Sequence, residues 1–331
     1  ARDSSRSSAW LMKPELQGLD FAAPERVADY LHADEPGRRH APMTVDLAAA
    51  ADFVFAHARL LDRRRFELLF GDGDRDTATR LTMRALLAYQ NPDGGFGNAI
   101  ESDIRCTASQ TVGAEVALRT MNELGTIDDA ATRALLDWCS ANCFDGGGLP
   151  FALPTIVTGP RAPWWQPTGE PSLNPTAAIV GLSIRLGVEH QWIGRAADWC
   201  WQVLESGSEQ LDHHSALCVL ELLESARSDA RAEQVGGSVR ERVVGDLVEL
   251  DPAAEGYDFP PLKFARHPDA YAPTWFDDST IDAHLDALAD GQATDGGWTV
   301  PWQPPSSAAV SEWRAILTID ALTTLRADDR L

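Results

Sequence analysis

"QNPDGGFGNAIESDIRC", residues 90–106, decides how the chain is organised. It follows a helical run, turns through Gly94 and Gly95, and sets Glu101, Asp103 and Arg105 just before the next helical pattern. The Asp-Gly-Gly turn at 93–95 recurs at 145–147 and at 295–297. The first two aspartates are 52 residues apart, and the next interval of 150 is close to three further periods. About fifty residues suffice for two helices and their connections, so about 300 residues would make six such units.

Hydrophobic periodicity agrees, with helices expected at 46–69, 76–90, 107–123, 128–141, 173–186, 192–205, 213–226, 231–249, 278–291 and 309–327. Strand-like alternation is almost absent. An array of helix pairs either stays open or closes. The count of pairs favours closure, as does the last helix, "SEWRAILTIDALTTL", which lacks a polar outer face to cap an open end. The expectation is an all-α fold, an α/α barrel over residues 43–331, preceded by a surface-draped or poorly ordered extension at 1–42. Two proline- and aromatic-rich stretches, 148–172 and 251–277, read as long loops that line or cover a site.

Composition narrows the function classes. The hydrophobic fraction of 44% supports a real core. With 28 basic against 50 acidic residues, net −22, the surface repels nucleic acid and anionic membranes. The five cysteines are odd in number and mostly sit in apolar helical runs, which suits buried thiols in a reducing, cytoplasmic setting. No apolar run approaches 18 residues, so an integral membrane protein is not expected. Only Lys13 and Lys263 are lysines, a bias read as compositional.

"QATDGGW", with Gln292, Gly296 and Trp298, resembles the Gln-x3-Gly-x-Trp core of the QW motif of squalene–hopene and oxidosqualene cyclases. "QNPDGGF" is similar with Phe96 for the tryptophan, and "NCFDGGG" reads as a degraded copy with Asn142 and Gly148 at the motif positions. The chain also resembles protein prenyltransferase β-subunits and compact actinobacterial prenyltransferase- or squalene-oxidase-repeat proteins. The resemblance implies the barrel over 43–331 and a structural role for Gly94, Gly95 and Phe96. It does not extend to chemistry: there is no Asp-x-Asp-Asp, "DDSTID" at 277–282 misses Asp-Asp-x-x-Asp, and "DWC" at 137–139 and 198–200 reads as core patterning rather than zinc ligation.

In such a barrel the turns lead into inner helices whose N-termini face the cavity. Asp103 is the first candidate for a catalytic acid, with Asp278 and Glu101 beside it, because burial raises a carboxyl pKa and lets it donate a proton. Arg105, His213, Asp277, Glu312 and Arg314 are candidates for substrate contact, with an Arg105 ion pair to Glu101 or Glu312 as the plain alternative. Asp278 and Asn174 also read as N-caps. Of 11 tryptophans, Trp164, Trp165, Trp298 and Trp302 lie in or beside loops with Trp275 and Phe276, where rings can stabilise developing positive charge or stack on sugars. Trp138, Trp199 and Trp313 read as core. His213 and His214 are adjacent, so at most one is expected to reach the cavity.

The resemblance implies an enzyme acting on a small hydrophobic, isoprenoid substrate by acid-initiated cyclisation or isomerisation. No redox cofactor or resident metal is expected, and Mg²⁺ would enter only with a diphosphate substrate. Two alternatives stay open: a carbohydrate-active α/α toroid with two carboxylates and stacked tryptophans, and a non-catalytic ligand- or partner-binding barrel.

Overall fold

The computed structural model describes residues 45–331, so the extension expected at 1–42 lies outside the described residues. Among the described residues twelve α-helices run α1 Leu47–His57, α2 Leu60–Phe70, α3 Arg75–Leu87, α4 Thr111–Leu124, α5 Asp129–Asn142, α6 Leu173–Arg185, α7 Gln191–Ser206, α8 His213–Ser225, α9 Ala230–Arg242, α10 Pro261–Phe264, α11 Asp278–Asp290 and α12 Ser307–Ala327. The even-numbered helices form the inner ring and the odd-numbered ones the outer. Thus α4 packs on α6, α6 on α8 and α8 on α10, while α12 meets both α1 and α2 and closes the toroid. The expected α/α barrel of six pairs is present. Among the described residues no helix is long and apolar enough to cross a membrane.

Local chemistry explains the boundaries. Asp46, Asp74, Asp128, Asp212, Asp229 and Asp277 each cap the helix they precede by accepting a backbone N–H, and Ser172 and Ser306 do the same. Inner helices α6 and α8 approach closely at Gly181, where any Cβ would meet the Glu221 carbonyl of α8 at 2.4 Å.

The glycine turns are inter-repeat clasps. In each, a backbone N–H reaches the carbonyl four residues on: Asn91 to Gly95, Phe144 to Gly148 and Ala293 to Gly297. A left-handed glycine (Gly94, Gly147 or Gly296) then lies on the backbone of the next outer helix at Ala134, Ala196 or Ala49. The following glycine meets an aromatic ring of that helix, Trp138, Trp199 or Phe53. The Gln90 amide donates to Gly94 O and, at the start of α5, to Ala131 O, both at 2.9 Å. Gln292 donates to Gly296 O and Asp46 O and accepts from Asp46 N at 2.8 Å, so the last turn clasps the first outer helix.

Several expectations need correction. The run 46–69 is two helices, broken at Ala58–Arg59 because an outer helix must hand over to an inner one. The run 231–249 ends as helix at Arg242 and continues in a π turn, Val243–Leu247. The stretch 251–277 contains α10, a single turn filling the fifth inner place, too short to show periodicity. The degraded turn is shifted by one residue, so Gly147, Gly148 and Leu149 match Gly94, Gly95 and Phe96, and Cys143 takes the glutamine place. Asp277 rather than Asp278 caps α11, and Ser172 rather than Asn174 caps α6.

Candidate active site

All connections from outer to inner helices emerge at one mouth of the ring. There Arg59, the residue before α2, donates to the carbonyls of Ala99 (3.0 Å) and Ile100 (2.8 Å) and pairs with buried Asp62 (2.7 Å). Those contacts hold Asn98 and Ala99 at φ of 56° and 61°, a left-handed conformation that costs a non-glycine residue about 1–2 kcal/mol. The turn re-aims the chain so that Glu101 and Asp103 both face inward. From outside, the 148–172 loop straps this segment: Ala162 N–H donates to Asp103 O and Arg105 N–H to Pro160 O.

The two carboxyls sit in different surroundings. Burial, helped by the neighbouring charge of Asp103, pushes Glu101 up to about 8, with Arg59 opposing. The backbone N–H of Asp103 points to Glu101 Oε1 at 3.3 Å. Asp103 is buried and also raised by burial, but the Trp313 indole N–H donates to its Oδ1 at 2.8 Å and holds it down. The Trp302 N–H pulls the same way from outside hydrogen-bonding geometry, its Nε1 being buried without a partner. Burial thus favours the protonated form of Glu101 near neutral pH.

An aromatic run leads away from Asp103. Trp313 meets Trp302 edge-on at 5.0 Å, Trp302 meets Tyr257 at 5.2 Å, and Tyr257 meets Phe259 at 5.3 Å. His213 lies against Phe259 at 4.5 Å, and His214 Nε2 is 3.0 Å from the Tyr257 hydroxyl. Burial pushes Tyr257 up to about 12, with Asp103 and Glu101 adding to it, and lowers His214. Yet Tyr257 and His214 both keep accessible surface.

Deeper along the axis the lining turns ionic. Arg119 on α4 pairs with Glu115 at 2.9 Å and with Glu221 on α8, which also meets Arg185 at 2.9 Å and Arg266 at 3.5 Å. Burial alone would raise Glu221, but Arg119, Arg266 and Arg185 draw it down to about 2. Among the described residues no cluster of three or more His, Cys, Asp or Glu side chains could hold a metal ion. All five cysteines are free, and four are buried.

Of the residues singled out from sequence, Asp103, Glu101, Arg105, His213, Trp302 and Glu312 gather at the mouth. Arg105 and Glu312 form a two-pronged pair, 2.6 and 3.1 Å. The others are placed elsewhere. Asp278 and the capping Asp277 are exposed at the start of the outer helix α11, at the other end of the ring. Trp275 and Phe276 precede them there, packed against the main core. Trp298 is buried, and its N–H donates to Leu288 O at 2.8 Å. Arg314 grips Asp295 of the last turn at 2.7 and 2.8 Å. Trp165 stacks on Phe151 at 4.7 Å inside a small core under the loop, while Trp164 is 48% exposed.

Sequence reasoning missed Arg59, Tyr257 and Trp313, and it expected at most one of His213 and His214 at the site, whereas His213 lies against Phe259 and His214 meets the Tyr257 hydroxyl. Trp313 read as core because it lies inside a long helix, although its place beside Glu312 near the start of α12 was a usable signal. Arg59 was hidden by the unrecognised break between α1 and α2.

No protein-family model matches the chain, and no curated protein matches it either. Among solved structures it is similar to a protein from Actinoplanes, at 16% identity over 85% of this chain and 98% of that one, with a TM-score of 0.56. It is also similar to an aspartate-to-alanine variant of type II terpene cyclase MstE from Scytonema in complex with merosterolic acid A, its product. There the identity is 13% over 86% of this chain and 96% of that one, with a TM-score of 0.50. These likenesses show the fold, a terpenoid-cyclase-like α/α barrel.

Proposed function

We propose that the chain is a terpenoid-cyclase-like enzyme that acts on a hydrophobic, isoprenoid substrate by acid-initiated cyclisation or isomerisation, with Glu101 as proton donor. The observation that carries this reading is the carboxyl pair at the head of an aromatic run. Glu101 holds a proton up to about pH 8, while Asp103 is fixed by the Trp313 N–H. The rings of Trp302, Tyr257 and Phe259 offer faces to an apolar chain and to positive charge that develops on it. An acid this weak suits a basic oxygen, such as an epoxide, carbonyl or departing hydroxyl, better than a bare alkene. Asp103 then stabilises the positive charge from close by. Such a step needs no redox cofactor, and Mg²⁺ would matter only for a diphosphate-bearing substrate.

A second reading is favoured by the ionic lining below the rings: a carbohydrate-active toroid, with Glu101 and Asp103 as the two carboxyls and Trp302 and Tyr257 as stacking platforms. One experiment separates them. Melting temperature is measured against isoprenoid alcohols, epoxides and diphosphates and against oligosaccharides, with and without Mg²⁺. A ligand at 100 times its Kd adds about 2.7 kcal/mol. An isoprenoid shift, followed by turnover that falls about 10²–10⁴-fold in Glu101→Gln, supports the first reading. A shift with sugars alone transfers the assignment to the second, and full activity in Glu101→Gln removes Glu101 from either mechanism.

A further inference from the structure

We infer that Trp302 is a positioning residue for Asp103: its indole N–H serves the carboxyl oxygen that Trp313 leaves free and fixes where that negative charge stands. Asp103 is buried at the mouth, and its backbone is already held. Its N–H points to Glu101 Oε1 at 3.3 Å, and its carbonyl accepts from Ala162 N at 2.9 Å. The side chain takes the Trp313 N–H on Oδ1 at 2.8 Å, while Oδ2 has no donor among the described residues. Trp302 carries the matching surplus. Its Nε1 is buried without a hydrogen-bond partner, and a buried donor left unpaired is costly. Its ring meets the Trp313 ring edge-on, with centroids 5.0 Å apart and planes at 79°. The indole that bonds Asp103 thus also holds the Trp302 ring beside it. Burial raises Asp103, and both indole N–H groups oppose it, in keeping with this placement.

Neutral donors do for this carboxyl what cations cannot. Asp62 is matched by Arg59 at 2.7 Å and Arg65 at 3.3 Å, and Glu221 by Arg185 at 2.9 Å and Arg266 at 3.5 Å. Asp103 has no arginine, lysine or histidine within ion-pair distance among the described residues. A guanidinium would cancel its charge, whereas N–H dipoles hold the anion in one place and leave its charge to act on a neighbour. Trp302 also governs its own loop. Residues 299–305, "TVPWQPP", contain three prolines and make no hydrogen bond among the described residues. The loop is pinned through the Trp302 ring, edge-on to Trp313 and, at 5.2 Å, to Tyr257. A loop held in this way is free to bring the N–H onto Oδ2, and hydrogen bonds at reacting centres commonly tighten only as charge develops. What the fixed charge is used for rests on the function proposed above; the hydrogen bond itself does not.

The test uses the whole chain, and its first arm needs no turnover. The tryptophan indoles are labelled with ¹⁵N, and the Trp302 and Trp313 N–H resonances are followed by NMR across pH. They are assigned from Trp302→Phe and Trp313→Phe and from the through-space contact of the two rings. Both resonances should move with one midpoint in the natural protein and stay fixed in Asp103→Asn. In Trp302→Phe, which keeps a ring and loses the donor, the Trp313 resonance should move at higher pH, because the charged form of Asp103 has lost a partner. A Trp302 resonance that ignores pH, one that moves as before in Asp103→Asn, or an unchanged Trp313 midpoint in Trp302→Phe would each overturn the assignment. Should Trp302→Phe fail to fold, the natural protein against Asp103→Asn still decides. Given isoprenoid turnover, Trp302→Phe should lower kcat about ten- to a hundredfold with KM unchanged, and an undiminished kcat removes the positioning role. Coupled resonances in a protein that turns over no isoprenoid would leave the bond from Trp302 to Asp103 standing and remove only the proposed reaction.

Discussion

Glu101 and Glu221 are both enclosed carboxyls on the same barrel axis, and their proton affinities diverge. Glu101 is pushed up to about 8, and Glu221 is drawn down to about 2. Burial raises both. What separates them is company: Glu221 has Arg119, Arg185 and Arg266 around it, whereas Glu101 has the charges of Asp103 and Glu115 against it, opposed by the Asp103 N–H and by Arg59 as its one cation. The comparison teaches how a barrel divides its interior. Where charges are matched, the carboxylate is a rivet between helices. Where a carboxyl is left unmatched beside aromatic rings, it becomes an acid.

The largest effect should come from breaking the rivet. Glu221→Gln leaves three guanidinium groups without their shared partner, and urea unfolding should show a loss of about 3–5 kcal/mol. The same change at Glu101 should not destabilise the protein at pH 8 and above, where it removes a buried negative charge. If both variants lose stability equally, the distinction between rivet and acid fails.

Proton linkage sharpens the contrast. The Glu101 contribution is fully present below its unfolded pKa near 4.5 and is lost as pH rises through about 8. Stability of the natural protein should therefore fall across that window relative to Glu101→Gln. The Glu221 contribution is fully present above about 4.5 and is lost as pH falls toward about 2. Melting curves of the two glutamine variants between pH 2 and 9 should thus meet the natural protein at the acid end and depart in opposite directions as pH rises, Glu221→Gln falling below it between about 2 and 4.5 and Glu101→Gln rising above it between about 4.5 and 8.

A smaller effect concerns how Glu101 is held. Replacing Ala99 with glycine relieves a left-handed alanine, so a gain of up to about 1 kcal/mol is expected, reduced by the entropy of the freer unfolded chain. If the strain positions the acid, that gain should come with slower turnover. The smallest change belongs to Arg330→Met, which removes exposed pairs to Asp282 and Asp286 and should cost no more than about 1 kcal/mol.

The fold was legible because it repeats. Three Asp-Gly-Gly turns and regular helical periodicity sufficed for an α/α barrel, since the glycine turn makes the clasp at each repeat, with the amide added at Gln90 and Gln292. The single-turn α10 was not legible, because four residues carry no period. For the site, the segment 101–105 stood out as polar groups before a helix. Asp278 offered the same local signal and lies at the other end of the ring. Sequence shows a polar helix start but not whether the helix belongs to the inner or the outer ring, and that alternation decides which mouth a residue faces. The aromatic assignments failed for a related reason: Trp298 and Trp313 are both near α12, but one is consumed by the clasp and the other is free to hold Asp103.

The reciprocal bonds between Gln292 and Asp46 join the last glycine turn to the first outer helix. A linear stack of helix pairs can fray from either terminus, with terminal units exchanging their amide hydrogens first. Here the two terminal units share one seam, and α12 packs across it on α1 and α2. Fraying at that seam exposes both ends of the array together. Amide protection in α1 and α12 should consequently rise and fall as one cooperative unit, and weakening Gln292 should loosen helices nearly 250 residues apart in the chain by the same amount.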